Sequence, residues 1–342
     1  MNYFNLDTKN FSESNVLIIA EACDNHFGSI EKAKKMIELA KLAGADVIKF
    51  QHHLPDEEML PDVPKSENFN ESLYEFLKKN ALKLEDHRNL KKFCEKVGII
   101  YLCTPFSYQA AKELMSLNVC GFKIGSGELS DHPSIKKISD FKKPMLLSTG
   151  MSTEEEINET YSILTNKNIH FGLMNCLSEY PPSYEDMNLK YILNMKDKFS
   201  KAAIGHSDHT NDIFSSIAAV TLGAFIIEKH VTLDKNFEGP DKDVSIDFND
   251  LKKMVYQIRL IEKSLGKSRK INHKEKIIRS WAHRSIVTIQ KIKKGEIFSE
   301  ENIWTKRPGT GIPAKEYEKI LGKISTSDIE NNTLLKLDDI EK

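Results

Sequence analysis

The sequence predicts an α/β protein, a parallel (β/α)8 barrel followed by a small β-rich domain. Apolar runs of strand length alternate with helically spaced stretches through eight strand–helix units. Nearly every run ends in polar or titratable residues, the pattern of strands that share one mouth. Beyond Ser285 the texture changes to short β-like runs broken by turn signals. A doubly wound open sheet also has the alternation, but the polar residue at almost every strand end favours the closed barrel.

Taken in order, a polar leader precedes the strand run Val16–Ala20, which ends in Glu21. Ser29 is placed to cap a helix with apolar residues at Ala33, Met36, Ile37, Ala40 and Ala43, and Gly44 stops it. The second run, Val47-Ile48-Lys49-Phe50-Gln51, leads into His52-His53. A long polar loop with Pro55, Pro61 and Pro64 follows, then one helical region over 73–97. Later runs end in Thr104-Pro105-Phe106-Ser107, Gly125-Ser126-Gly127-Glu128, Ser148-Thr149-Gly150-Met151 and Asn175-Cys176-Leu177-Ser178. Ser152 and Glu155 form a capping-box signal. The last two runs end in Ser207-Asp208-His209 and Glu228-Lys229-His230, and a helix over 248–265 closes the series. The expected organisation is a barrel over 1–265, a basic, polar linker over 266–284, and the small domain over 285–342.

With 40% hydrophobic and 29% charged residues the composition is that of a globular protein, and a net charge of −1 argues against a nucleic-acid surface. No apolar run reaches membrane-spanning length, and the N-terminus lacks the basic and apolar regions of a signal peptide. Cys23, Cys94, Cys103, Cys120 and Cys176 are odd in number and show no C-x-x-C spacing. Reduced, mostly buried and inert thiols in a cytoplasmic protein fit this best.

Several strand ends carry chemistry. His209 and His230, on neighbouring strands with Asp208 and Glu228 beside them, can hold a divalent metal; the alternative is ordinary hydrogen bonding in a barrel mouth. The Gly-Ser loops at Ser126 and Ser148 suit an oxyanion, and Lys49 and Lys123 at strand ends can neutralise phosphate or carboxylate. Glu21 and Glu128 are candidate general acids or bases, or else partners of those lysines. Gln51, Ser178 and Tyr180 are of the type that binds sugar hydroxyls, or simply loop hydrogen-bonding groups.

Together these residues resemble the N-acetylneuraminate (sialic acid) synthase family across nearly the whole chain. The shared motifs are Ala20-Glu21…Asn25-His26-x-Gly28, Lys49-x-Gln51, Thr104-Pro105-Phe106-Ser107, Lys123-Ile124-Gly125-Ser126-Gly127-Glu128 and Ser148-Thr149-Gly150-Met151. Tyr180-Pro181, Gly205-x-Ser207-Asp208-His209, Glu228-Lys229-His230, Gly239-Pro240-Asp241 and Trp304-x-Lys306-Arg307-Pro308-Gly309-x-Gly311 follow in the family's order.

The resemblance implies a TIM barrel followed by an antifreeze-like (SAF) domain. It also implies condensation of phosphoenolpyruvate with an open-chain amino sugar, such as N-acetylmannosamine, to a nine-carbon α-keto acid and phosphate. A divalent ion, Mn2+ or Mg2+, and a domain-swapped homodimer are expected. Carried over by position, Glu21 is the catalytic carboxylate, and His209 and His230 are the metal ligands. Lys49, Thr104, Ser126, Ser148, Ser178 and Ser207 hold phosphoenolpyruvate, with Lys123 beside them. Gln51, Tyr180 and Asp241 contact the sugar, and Arg307 reaches the partner's substrate. Asn175 stands where many members carry His, and this position is expected near the sugar. Legionaminate and pseudaminate synthases share the scaffold. A non-catalytic sugar-phosphate sensor and a Schiff-base aldolase are the other classes weighed; Glu21, Lys49 and both histidines argue against the sensor.

Overall fold

The computed structural model describes residues 3–62, 71–236, 239, 241–266 and 268–341. Pro64 of the long loop, Pro240 of the Gly-Pro-Asp motif and Lys267 of the linker lie outside the described residues. The chain divides into two compact units, Met1–Leu265 and Gly266–Lys342.

The first unit opens with a hairpin, β1 (Phe4–Leu6) and β2 (Lys9–Phe11). Eight strands follow: β3 (Leu17–Glu21), β4 (Val47–His52), β5 (Ile100–Pro105), β6 (Phe122–Ile124), β7 (Met145–Ser148), β8 (Phe171–Cys176), β9 (Ala203–Asp208) and β10 (Ile226–His230). They pair in parallel in the order β5-β4-β3-β10-β9-β8-β7-β6, and β5 lies alongside β6, so the sheet wraps into a nearly closed barrel. The strands read as continuous apolar runs because both faces are covered, by barrel interior and by helices. Helix Ile30–Ala43 begins where the Ser29 side chain accepts from the Lys32 N–H and ends at Gly44, whose φ of 91° is left-handed.

Four local expectations are revised. The polar leader forms the β1–β2 hairpin, in which Phe4, Leu6 and Phe11 are buried. It covers the N-terminal ends of the barrel strands: Asn5 N–H donates to His170 Nε2 at 2.8 Å, and the Phe4 ring stacks on that imidazole at 4.9 Å. The helical region over 73–97 is two helices, Leu73–Asn80 and Leu84–Val97, separated at Ala81, which is extended. The capping box falls one residue later than the sequence signal. Thr153 caps helix Glu154–Asn166 and Glu156 reaches back to its N–H at 2.7 Å. Within the stretch read as linker, His273–Ala282 is helical.

In the second unit, β11 (Ser285–Thr288) and β12 (Ile303–Lys306) pair antiparallel over a core that includes Ile286, Ile292, Phe298, Ile303 and Leu335. Among the described residues no helix is long and apolar enough to cross a membrane.

Candidate active site

Strand register assembles the site. Glu21 at the end of β3 lies between His230 of β10 and Lys49 of β4; Gln51 pairs with Thr104; Glu228 pairs with Ser207, and Ser207 with Cys176. These residues open into a cavity of about 630 Å³ at the C-terminal ends of the strands. Glu21, Lys49, Gln51, Thr104, Lys123, Ser126, Ser148, Ser178, Tyr180, Ser207, His209, His230 and Asp241 all line it. Arg307 belongs to the second unit, where its Nε donates to the Ala282 carbonyl at 3.1 Å and its guanidinium lies 5.7 Å from the Trp281 ring centre. Asn175, expected near the sugar, is absent from the cavity lining. It precedes Cys176 on β8, and successive residues of a strand face opposite sides.

The floor of the cavity is a buried network of two lysines and two glutamates. Lys49 Nζ lies 2.9 Å from Glu21 Oε2, donates to Thr104 Oγ1 at 3.0 Å and stands 3.7 Å from Glu228 Oε2. Lys123 donates to Ser148 Oγ at 2.6 Å and faces Glu228 Oε1 at 3.7 Å, so its carboxylate partner is Glu228 rather than Glu128. Burial opposes the Lys49 charge, but Glu21 and Glu228 outweigh it and hold its pKa above the ordinary value. Burial lowers that of Lys123, although Glu228 works the other way. Burial also pushes the Glu21 carboxyl up to about 7, with Lys49 opposing and Glu228 adding. Burial acts likewise on Glu228, but Lys123 and Lys49 overcome it and keep this carboxylate below its usual value. The result is one firmly ionised carboxylate, one able to exchange a proton near neutrality, and cations ready to receive an anion.

The loops after β6 and β7 interlock. Gly150 N–H donates to Ser126 Oγ at 3.2 Å, tying the loop after β7 to the loop after β6. A Cβ at Gly150 would lie 2.3 Å from Ser178 Oγ and 2.9 Å from Ser126 Oγ, so only glycine allows the approach.

The opposite wall holds the metal-type ligands. His209 Nδ1–H donates to the Leu177 carbonyl at 2.8 Å, which turns Nε2 toward the Tyr180 hydroxyl at 3.2 Å. The His209 and His230 ring centres are 5.1 Å apart. Buried His230 Nδ1 has no hydrogen-bond partner and lies 3.8 Å from Asp241 Oδ2. Cys23, His230 and Asp241 each offer a ligand atom within 4.8 Å of the others. An orphaned imidazole nitrogen among nitrogen, oxygen and sulfur donors fits a divalent cation. Asp208, expected beside the histidines, instead pairs with Lys229 at 3.3 Å and accepts from Ser216 at 2.6 Å.

Sequence reasoning did not single out Cys23, Asp24, His53, Phe106 or Cys176 as site residues, yet all line the cavity. Cys176 Sγ is 3.9 Å from His209 Nδ1, and Cys23 lies one residue beyond Ala22, which follows the Glu21 strand end, so neither is a remote core thiol. Strand alternation was the signal available for Cys176, because it shares a face with neither Asn175 nor the outer helices.

Residues 36–270 match the NeuB family and residues 283–341 the SAF domain. The chain is 41% identical to the N,N'-diacetyllegionaminic acid synthase of Campylobacter jejuni, over 94% of this chain and 98% of that one. It is 37% identical to the pseudaminic acid synthase of the same species, over 99% and 98%. The crystal structure of the N-acetylneuraminic acid (sialic acid) synthetase of Leptospira borgpetersenii, in complex with citrate, superposes with a TM-score of 0.75 at 30% identity, over 81% of this chain and 95% of that one. With a family match over most of its barrel, and relatives aligned end to end, the chain belongs to the NeuB family.

Proposed function

We propose that this protein condenses phosphoenolpyruvate with an open-chain N-acetylated amino sugar, releasing phosphate and a nine-carbon α-keto acid. The observation that carries the reading is the cavity floor, where Lys49 and Lys123 are buried among hydroxyls beside a proton-exchanging Glu21. An acid with a phosphate and a carboxylate matches two cations set against one firmly ionised glutamate, and hydroxyls of Thr104, Ser126, Ser148, Ser178 and Ser207 supply neutral donors around it.

The methylene carbon of phosphoenolpyruvate forms the new bond to the sugar aldehyde carbon, whose C=O opens and takes up a proton to become a hydroxyl, and a water adds at the enol carbon. Glu21 takes the proton of that water, and its pKa of about 7 suits the exchange near neutral pH. The tetrahedral adduct then loses phosphate by C–O cleavage, leaving the ketone, while Lys49 and Lys123 balance the departing charge. Gln51 Nε2 donates to Glu21 Oε1 at 2.9 Å and orients it; Gln51, Tyr180 and Asp241 are assigned to the sugar. His209 and His230 would hold Mn2+ or Mg2+, which when bound supplies Lewis-acid polarisation for the aldehyde. The resemblance further supports a cytoplasmic, domain-swapped homodimer in which Arg307 serves the partner's substrate.

A 6-deoxy diacetamido sugar is favoured over N-acetylmannosamine by the higher identity to the legionaminic and pseudaminic acid synthases than to the sialic acid synthetase. Mass spectrometry of products from phosphoenolpyruvate and a panel of amino sugars in isotopically labelled water tests the reading. A nine-carbon keto acid carrying the label, with unlabelled phosphate, is expected; label in phosphate, or no product from any sugar, would overturn it.

A further inference from the structure

We propose that His53 is a positioning residue for the proposed reaction: its doubly protonated ring, gripped by Glu58, donates to the Gln51 carbonyl oxygen and so keeps the Gln51 amide nitrogen turned toward Glu21. The inference rests on the reading that Glu21 takes a proton from the attacking water, and extends it to two side chains of the loop after β4.

The geometry fixes the proton count. Glu58, His53, Gln51 and Glu21 form a row that runs from that loop into the cavity floor. His53 Nδ1 lies 3.0 and 3.2 Å from the two Glu58 carboxylate oxygens, and its Nε2 lies 3.0 Å from Gln51 Oε1. At the inner end Gln51 Nε2 donates to Glu21 Oε1 at 2.9 Å. Glu21 must be ionised to take a proton, and an ionised carboxylate only accepts. The amide therefore presents its NH2 to Glu21 and its carbonyl oxygen to His53. Glu58 accepts on the other side. Both ring nitrogens of His53 face acceptors, and only the imidazolium, with a proton on each, satisfies both.

The surroundings suit that cation. The His53 side chain is 6% exposed and that of Glu58 4%, and a carboxylate so buried calls for a buried positive partner. Asp24 Oδ2 stands 3.8 Å from Nε2, and Glu128 adds its field from the loop after β6. The neighbouring imidazoles His26 and His52 carry the opposite influence, and the His53 charge helps to keep them neutral. Burial opposes the His53 charge, but Glu58 and Asp24 outweigh it and hold its pKa above the ordinary value. The Phe106 ring, stacked at 4.3 Å, fixes the plane of the imidazolium.

Loss of the donor frees the amide. Beside a neutral or absent His53, Gln51 can turn its carbonyl oxygen to Glu21, and that contact favours the protonated acid, which takes no proton from water. The lysines assigned to phosphoenolpyruvate have other partners, so its KM should not follow.

Heteronuclear NMR of full-length protein labelled in its histidine and glutamine nitrogens, at neutral pH without substrate, reads the ring charge and the amide directly. His53→Gln and Gln51→Leu assign the signals. The wild type should show His53 as imidazolium, and Glu58→Gln should convert it to the neutral ring. Steady-state kinetics then compare His53→Phe, which keeps an aromatic ring against Phe106 but no donor, with Glu58→Gln. Each should lower kcat about tenfold or more, the scale of one hydrogen bond to a charged group, with the KM for phosphoenolpyruvate unchanged. In a Gln51→Leu background, His53→Phe should lower kcat no further. Thermal unfolding separates these losses from a folding defect. A neutral His53 in the wild type, equal losses with and without Gln51, or a rise in KM in place of the fall in kcat overturns the proposal. No keto acid from any sugar sinks the proposed activity alone, and the NMR signals then decide the His53 clamp by themselves.

Discussion

At the scale of single residues, Gly150 shows how tightly the mouth is drawn. The atoms that a methyl at Gly150 would meet are hydroxyl and thiol ends of Ser178, Ser126 and Cys176, which can rotate aside. Gly150→Ala should therefore fold, with little change in unfolding midpoint, while displacing two hydroxyls assigned to the anion. Its KM for phosphoenolpyruvate should rise about tenfold, roughly the loss of one hydrogen bond to a charged group. Steady-state kinetics with saturating sugar measure this, and an unchanged KM would remove Ser126 and Ser178 from the anion site. Strand-end residues such as Glu21, Lys49 and His230 were legible in the sequence because an apolar run ending in a titratable group is rare outside a site. Which carboxylate meets which lysine was not legible. Glu128 stands nearer Lys123 in sequence, but β9 and β10 bring Glu228 and Ser207 across the barrel to it, and only closure of the ring reveals that.

Among the elements, the β1–β2 hairpin carries weight out of proportion to its length. Phe4 is fully buried against His170 and Leu6 reaches the strand start at Gly121. Phe4→Ala should cost about 3–5 kcal/mol, the range for a buried aromatic truncated in a core. Urea unfolding measures the loss; kcat should hold, since the hairpin lies at the strand ends away from the cavity. The hairpin escaped sequence reading because each of its strands has only three residues, too few for alternation to declare itself. The barrel strands were legible because burial on both faces writes long apolar runs. The break between helices Leu73–Asn80 and Leu84–Val97 was not, because no glycine or proline marks it and Asp86 closes the new helix start by accepting from the Lys83 N–H at 3.0 Å.

For the whole molecule, the proposed action of Arg307 on a partner's substrate makes activity a property of pairs. Glu21→Ala and Arg307→Ala, each nearly inactive alone, should regain activity when dissociated and reassembled together, because a mixed dimer contains one barrel with both residues intact. Mass measurement of mixed dimers with no recovered turnover would confine Arg307 to a structural role beside Trp281. The hairpin that stoppers the barrel has a different consequence for handling the protein. Lys9 meets Asp46 just ahead of β4, and Asn5 meets His170 just ahead of β8, so the chain enters the barrel from the face opposite the cavity. A fusion partner or a surface tether attached ahead of Tyr3 would hang from that far face. Immobilised in this way, the barrel would keep the support and its cargo on the side away from the strand ends that line the cavity.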